Sequence, residues 1–267
     1  CINMDKNIAK YTNELFDEIS NLIEKSKNKI AVSVNAELAY LYWSVGGTVN
    51  KNILNYERAD YGKQIIKNVA QKLTNKYGRG WSDKQLRHCL RVAETFSENE
   101  IVSALQRQLS WTHLKTLSYE NEPLKRKFYL EMAIAQKWNT RTLEEQIDKM
   151  LYERTAIAQK PEQQIEQSLN ELSEKSEINP DLVFKSSYFL DFLGLKDTYS
   201  EKNLEDAVIA NLQSFILELG AGFAFLERQK QIQIDAVDYH LDLLFYHRKL
   251  KRLVAIDLKL GKFKPQY

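Results

Sequence analysis

The sequence is poor in residues that interrupt regular structure, with 9 glycines and 4 prolines among 267 residues. Because these residues are the strongest helix breakers, their scarcity leaves room for long helices and predicts a mainly helical chain. Cysteine is rarer still, and the two present, Cys1 and Cys89, lie far apart and outside any CxxC spacing. This pattern excludes a disulfide scaffold and favours a reducing compartment, so we expect a cytoplasmic protein.

Long hydrophobic runs and an excess of charge of one sign are also lacking. No stretch approaches the roughly 18 apolar residues that a membrane-spanning helix needs, so we expect no membrane association. The 38 Lys and Arg nearly balance the 36 Asp and Glu. Residues 223–267 nevertheless carry a local excess of positive charge, with nine Lys and Arg against five Asp and Glu. That local excess fits a polyanionic partner and a solvated basic face about equally well.

The apolar spacing divides the chain into two parts. Residues 1–160 have the periodicity of consecutive amphipathic helices. Residues 161–180 are rich in Gln, Glu, Ser and Lys, and we interpret them as a linker or a solvated connecting helix at the domain boundary. In residues 181–267 a helix over 204–219 precedes three strands, which predicts the start of an α/β sandwich. The predicted strands are Phe223–Ile234, 239–246 and 253–260.

One predicted helix in the first part is basic. Ser82 and Gln85 have the spacing of a capping box and mark its start. The helix carries Lys84, Arg87 and Arg91. These side chains are compatible with a DNA-recognition helix, although the spacing alone favours a solvated helix face.

Strand periodicity places an acidic and a basic side chain together on the last predicted strand. Side chains of a strand alternate between its two faces. If Val254, Ile256 and Leu258 face the core, Asp257 and Lys259 share the opposite face. This alternation predicts a carboxylate and an ammonium group side by side.

Asp242 takes the corresponding place on the preceding strand. A turn centred on Lys249 and Leu250 would set Asp242 against Asp257, with Cβ atoms about 4.5–5.5 Å apart. Two such carboxylates repel each other unless a cation such as Mg²⁺ or Mn²⁺ neutralises them, and Lys259 would then stabilise charge on a phosphate or help to orient the attacking water. Alternating Asp and Lys also occur on ordinary solvent-facing strands, and the register is an assumption at this point. The implied pairs are Tyr246 with Leu253, Leu244 with Ala255 and Asp242 with Asp257.

Longer motifs resemble one known family. The segments DLLFYHRKL (242–250) and IDLKLGKFKP (256–265) look like those of the YhcG-type nucleases of the PD-(D/E)XK superfamily. The resemblance extends over nearly the whole chain. Its further segments are 42–43, 108–113, 151–154, 190–195 and 228–230.

The resemblance implies a multidomain architecture. A mainly α, winged-helix-like DNA-binding domain would occupy residues 1–160, and an α/β restriction-endonuclease-like core would occupy residues 181–267. The family continues beyond this core with a helix and closing strands, whereas this chain stops at Tyr267. We therefore expect a core that is truncated at its C-terminal end.

The resemblance also implies a function, the Mg²⁺- or Mn²⁺-dependent hydrolysis of phosphodiester bonds, with DNA as the expected substrate. By their motif positions Asp242, Asp257 and Lys259 are catalytic, and Asp242 and Asp257 hold the metal. Glu205 is the candidate for the acid that the superfamily carries on its first core helix. A Glu near a helix start also complements the helix macrodipole without any catalytic role.

Basic residues near these motifs are the expected contacts to the nucleic-acid backbone. An alternative function is a catalytically inactive nucleic-acid-binding or assembly module on a nuclease fold, because the expected core is incomplete. A homo-oligomer is compatible with either function. The expected backbone contacts are Arg228, Lys230, Arg248, Lys249, Lys262 and Lys264.

Overall fold

The fold is mostly helical with one small antiparallel sheet, which confirms the prediction of a mainly helical chain. The structure is a computed structural model and describes residues 2–53, 59–175, 178–195, 199–234 and 237–260. Within these ranges, no helix combines the length and the apolar character needed to cross a membrane. The helices are α1 (Ile2–Ile53), α2 (Ala59–Tyr77), α3 (Asp83–Thr95), α4 (Glu98–Gln106), α5 (Trp111–Leu117), α6 (Pro123–Gln136), α7 (Thr140–Asp148), α8 (Leu151–Arg154), α9 (Glu162–Lys175), α10 (Glu201–Ala210) and α11 (Leu212–Leu219).

The chain forms two compact units. The first unit comprises Cys1–Arg126 with Trp138–Leu143, and the second comprises Lys127–Lys137 with Glu144–Tyr267. In the described part of the first unit, all regular secondary structure is helical. A wing of β-strands is therefore not identified there, and the winged-helix character stays a prediction.

The first unit is organised around the packing of α1 on α3. At Gly46 of α1 the two backbones approach so closely that a Cβ would lie 2.0 Å from the carbonyl oxygen of Cys89. The Tyr42 ring lies beside the rings of Trp81 and Trp111, at centroid distances of 5.4 and 4.9 Å. A hydrogen atom is thus the only side chain that position 46 accommodates without moving a helix.

Helix α3 begins where the sequence predicts it. The Ser82 hydroxyl accepts a hydrogen bond from the Gln85 backbone N–H at 3.3 Å. Leu86 and Leu90 lie on its buried face with Ile66 of α2. The capped start of the basic helix is therefore confirmed.

The second unit contains a helix in the stretch predicted as a linker. Helix α9 covers Glu162–Lys175 and buries Ile165, Leu169 and Leu172. The apolar spacing of these three residues gives α9 one buried face, despite the polar composition around it. Residues Glu162–Lys175 of the predicted linker therefore form a partly buried helix.

The helix predicted over 204–219 is divided into α10 and α11 at Asn211. Asparagine is unfavourable inside a helix, and its side-chain amide here donates to the Ala207 carbonyl at 3.0 Å. The expected apolar face is nevertheless buried and forms the core of the second unit. This core contains Leu193, Leu204, Val208, Phe215, Leu219, Phe223, Leu243 and Phe245.

The sheet covers this core with strands β1 (Phe223–Ile234), β2 (Val237–His247) and β3 (Arg252–Ile256), in the order β1-β2-β3. Leu244 pairs with Ala255 and Tyr246 with Leu253, which confirms the predicted register of β2 and β3. The predicted alternation is confirmed as well. Residues 254, 256 and 258 are half-buried, whereas 255, 257 and 259 are exposed.

Candidate active site

Asp242 and Asp257 meet just beyond the end of β3. The last pair of the ladder is Leu243 with Ile256, so the two aspartates are next in register. An Asp242 oxygen, Oδ2, accepts a hydrogen bond from the Leu258 backbone N–H at 2.7 Å. This bond joins β2 to the segment that carries Asp257.

The pKa values of the two carboxyls are displaced in opposite directions. Burial raises the pKa of Asp242, and the hydrogen bond and negative charge of Asp257 raise it further, against the opposing effects of Leu258 and Lys259. Burial would also raise the pKa of Asp257, but hydrogen bonds with Lys259 and Asp242 outweigh it and lower that pKa. The two carboxyls therefore affect each other's protonation, and Asp242 is the one that holds a proton more readily.

Lys259 lies at the same place. Its Nζ donates to Asp257 Oδ1 at 2.9 Å and lies 3.9 Å from Glu201 Oε2. The hydrogen bond to Asp257 raises the pKa of Lys259, which keeps the amine protonated. The structure thus brings together all three predicted residues of the strand motif.

A pocket of about 480 Å³ opens beside Asp242. Glu205 lines it from α10, so the predicted helix acid also reaches this place. The lining residues are Glu201, Lys202, Glu205, Arg228, Gln229 and Asp242.

Glu205 is held by two neighbours. Glu205 is buried, with 6% of the residue exposed to solvent. The Arg228 Nε donates to Oε1 at 2.7 Å, and the Gln229 Nε2 donates to Oε2 at 2.8 Å. Both oxygens of this buried carboxylate therefore already accept a hydrogen bond.

Two residues of this region were given no role from the sequence, although Gln229 lies in the segment 228–230 that carries the resemblance. Glu201 accepts a hydrogen bond from the Leu260 backbone N–H at 3.2 Å and lies four positions before Glu205. That spacing places both acids on one face of a helix, a signal that was available in the sequence. Gln229 has a left-handed φ of 53°, which no pattern in the sequence predicts.

The predicted nucleic-acid contacts are dispersed. Arg228 lies at the pocket, but it also pairs with Asp206 at 2.7 Å. Lys230 pairs with Glu227 at 2.8 Å. Lys262 and Lys264 lie outside the residues that the structure describes.

Arg248 and Lys249 lie at the opposite end of the hairpin from the carboxylate pair. Arg248 follows β2 six positions after Asp242, which corresponds to about 20 Å of extended chain. Lys249 Nζ donates to the Ala135 carbonyl at 2.5 Å and to Gln136 Oε1 at 2.9 Å. Lys249 therefore binds the C-terminal end of α6, where a cation complements the helix dipole.

The donor set fits a metal site with few protein ligands. Within the part of the chain that the structure describes, no group of three or more His, Cys, Asp or Glu is placed to hold an ion. The pair of Asp242 and Asp257 remains, and Mg²⁺ is often bound through one or two carboxylates while it keeps several waters.

An Asp on one strand, the Asp-x-Lys triplet after the next and a Glu on an earlier helix match the pattern expected of a PDDEXK nuclease domain. Residues 181–267 match the family model described as YhcG PDDEXK nuclease domain. Residues 18–154 match the model described as DUF1016 N-terminal domain. The chain belongs to the YhcG nuclease family. Nucleases of the PDDEXK class generally use divalent metals.

One curated relative extends over both matched regions. The chain is 32% identical over 285 residues to the protein named "Putative nuclease YhcG" of Escherichia coli (strain K12). The alignment covers 94% of this chain and 74% of that protein. No solved structure matches the chain significantly.

Proposed function

We propose that the protein is a metal-dependent nuclease that hydrolyses phosphodiester bonds of DNA. The observation that carries this proposal is that Asp242 and Asp257 follow the last β2–β3 pair in register, where the Leu258 N–H binds Asp242 and Lys259 binds Asp257. Two carboxylates this close repel each other in a metal-free protein. A divalent cation removes this repulsion, and the protonated Lys259 beside it can bind a phosphate oxygen.

The roles follow from the contacts. Asp242 and Asp257 are the residues that would hold Mg²⁺ or Mn²⁺, and the bound ion would supply an activated water and offset phosphate charge. The Leu258 N–H orients Asp242, so that the carboxylate needs no rearrangement before it acts. Lys259 remains charged because Asp257 raises its pKa, and its ammonium group is positioned to stabilise a phosphate oxygen.

Nicking of supercoiled plasmid DNA tests this function. We expect the wild-type chain to nick DNA with Mg²⁺ or Mn²⁺ and to stop when EDTA is added. Asp257→Asn preserves the shape of the side chain but not its charge. It should slow nicking by more than about 100-fold, because loss of even an outer partner of a metal site costs about 10- to 100-fold.

Asp148→Asn is the matched control, since Asp148 is exposed at the end of α7. This variant should nick DNA at the wild-type rate. Equal nicking by wild type and Asp257→Asn would contradict the proposal, as would a wild-type chain that leaves DNA intact.

A second candidate is an inactive nucleic-acid-binding or assembly module on the nuclease fold. It is favoured by the lack, within the described ranges, of a cluster of three or more metal-binding side chains. Binding of Mn²⁺ that disappears in Asp242→Ala would argue against this candidate. DNA binding without either Mn²⁺ binding or nicking would support it.

We also propose that the first unit binds DNA, through a basic patch defined as Lys84, His88, Arg91, Lys115 and Tyr119. After burial, the charges of Lys115 and Lys84 lower the pKa of His88, which indicates that both ammonium groups are near its ring. The Arg91 guanidinium lies 4.3 Å from the centroid of the Tyr119 ring. The Tyr119 hydroxyl lies 3.1 Å from His88 Nδ1.

The charges of this basic patch are not neutralised locally. As far as the structure describes the chain, neither Lys84 nor Lys115 pairs with a carboxylate. Arg87 of the same helix is bonded to Asp83 at 2.9 Å and is therefore not included. Clustered cations without acidic partners attract phosphates, which supports a contact to the DNA backbone.

The proposed domain limits remain 1–160 for the DNA-binding part and 181–267 for the nuclease part. The two family matches, which end at residue 154 and begin at residue 181, support a boundary between them.

A further inference from the structure

Two consecutive residues of β1 bind the same carboxylate. Neighbouring side chains of a regular strand point to opposite faces of the sheet. Arg228 and Gln229 nevertheless both donate to Glu205, at 2.7 and 2.8 Å. The strand must therefore depart from regular geometry at this point.

The departure lies at Gln229. Its φ of 53° falls in the left-handed region, which is uncommon and strained for a residue with a side chain. The pairing of β1 with β2 passes from Arg228–Leu243 to Lys230–Leu241. Gln229 thus lies between these pairs, at the position opposite Asp242. This local twist of the backbone explains why the Gln229 amide lies on the same side of the sheet as the Arg228 guanidinium.

The Glu205 carboxylate, which accepts the hydrogen bond of this amide, can accept further hydrogen bonds. A buried carboxylate needs hydrogen-bond donors, and each of its oxygens carries two lone pairs. Arg228 uses one lone pair on Oε1, and Gln229 uses one on Oε2. The remaining acceptor positions belong to a side chain that lines the pocket together with Asp242.

We infer that Gln229 is a positioning residue of the active site. Its side-chain amide holds the Glu205 carboxylate at the wall of the pocket that Asp242 also lines. The left-handed backbone of Gln229 is the means by which the amide reaches that carboxylate. This inference rests on the proposed nuclease function, and Gln229 itself contacts neither metal nor DNA.

Two variants separate the amide from the backbone. Gln229→Gly removes the amide, while glycine adopts a left-handed φ without strain. Gln229→Asn keeps an amide one methylene shorter, and asparagine tolerates this φ better than most residues. We expect both variants to keep the wild-type unfolding temperature to within a few degrees. Gln231→Asn, two positions along the same strand and exposed, is the matched control.

The expected changes are in catalysis and metal binding. Gln229 orients Glu205, the acid that lines the pocket beside the proposed metal ligand Asp242. Both Gln229 variants should therefore lower kcat for DNA by about 10- to 100-fold, and Mn²⁺ affinity by about 10-fold, the size of effect that outer partners of metal sites have. The KM for DNA should not change, since the residue does not touch the substrate. Gln231→Asn should leave all three quantities at their wild-type values.

A double-mutant comparison shows whether Gln229 acts through Glu205. In a Glu205→Ala background, Gln229→Gly should cause no further loss of kcat or Mn²⁺ affinity. Losses that multiply in the double variant would overturn the inference, as would a Gln229→Gly enzyme with wild-type kcat and Mn²⁺ affinity.

The nuclease function and the role of Gln229 can fail separately. If the wild-type chain binds Mn²⁺ but does not cleave DNA, the nuclease function fails alone. The role of Gln229 is then decided by Mn²⁺ affinity, and an unchanged affinity in both Gln229 variants overturns it. A wild-type chain that neither binds Mn²⁺ nor cleaves DNA overturns both.

Discussion

The Asp242 carboxylate accepts a hydrogen bond from the Leu258 backbone N–H, with 2.7 Å between Oδ2 and N. This bond continues the connection between β2 and β3 at the point where their backbone pairing stops, after Ile256. Asp257 and Lys259 flank Leu258, so the bond holds both beside Asp242. One hydrogen bond thus fixes the arrangement of the whole strand motif.

Replacement of Asp242 by asparagine should stabilise the metal-free protein. The amide oxygen still accepts the Leu258 bond, while the repulsion from Asp257 is removed. In EDTA at neutral pH we expect a gain of a few tenths to about 1 kcal/mol in the free energy of unfolding, the range for cross-strand charge pairs. Urea unfolding measures this gain.

The gain of Asp242→Asn should depend on pH. Burial and Asp257 raise the folded-state pKa of Asp242 above its unfolded value. The wild-type chain therefore keeps its full stability below the unfolded pKa and loses part of it as the pH rises through the folded pKa. The advantage of the variant should vanish as the pH falls below that range. A gain that is equally large in acid would contradict the assigned repulsion.

Gly46 and Gly47 should respond in opposite ways to alanine. A Cβ at Gly46 would lie 2.0 Å from the Cys89 carbonyl oxygen, whereas one at Gly47 meets nothing within 4 Å. Gly46→Ala should destabilise the chain by about 1–3 kcal/mol through overpacking. Gly47→Ala should stabilise it by about 0.5–1 kcal/mol, because alanine favours the helix. Similar unfolding free energies for the two variants would rule out the close approach of α1 and α3.

The buried charge network around Glu218 should determine the stability of the second unit. Glu218 is paired with Arg154 and, at 3.3 Å, with Lys185, and the three side chains are 10, 7 and 6% exposed. Glu218→Gln removes the negative charge opposite both cations and leaves them only carbonyl acceptors, which should cost about 3–5 kcal/mol in unfolding free energy. Glu166→Gln, at an exposed position on α9, should change it by less than about 0.5 kcal/mol. Equal losses of unfolding free energy in the two variants would contradict a stabilising role for the Glu218 network.

The contribution of Glu218 should also be lost in acid. Burial by itself would raise its pKa, but the Phe189 N–H and the charges of Lys185 and Arg154 outweigh burial and lower it. The stability from this carboxylate is therefore present above its unfolded pKa and lost as the pH falls through the lower folded pKa. The difference between wild type and Glu218→Gln should shrink over that range.

Removal of a lysine from the basic patch should weaken DNA binding and make it less sensitive to salt concentration. Lys84→Ala and Lys115→Ala should each weaken binding to a DNA duplex and reduce the slope of log K against log salt by about 0.9 for each phosphate that the variant no longer neutralises. Fluorescence anisotropy in EDTA measures binding without cleavage. Lys67→Ala, at an exposed position on α2, is the control. A slope that is the same in all four proteins would exclude the basic patch as a binding surface for DNA.

Local rules were enough to predict the strand motif. Alternation and a tight turn gave the register of β2 and β3, which the pairing of Leu244 with Ala255 confirms. Contacts between residues far apart in the sequence could not be predicted from those rules. Lys249 was expected to contact nucleic acid, but it finds its acceptor at the end of α6, 114 positions away in sequence. The left-handed backbone of Gln229 has no local signal either, because it depends on what the surrounding structure holds in place.

Calorimetric titration with Mn²⁺ tests most directly whether Asp242 and Asp257 form the metal site of a nuclease. Wild type, Asp242→Asn and Asp257→Asn should be titrated under the same conditions, with Asp148→Asn as the control. We predict saturable heat from wild type and the control, and none from the two site variants. Equal affinity in all four proteins, or no binding by wild type, would contradict the account.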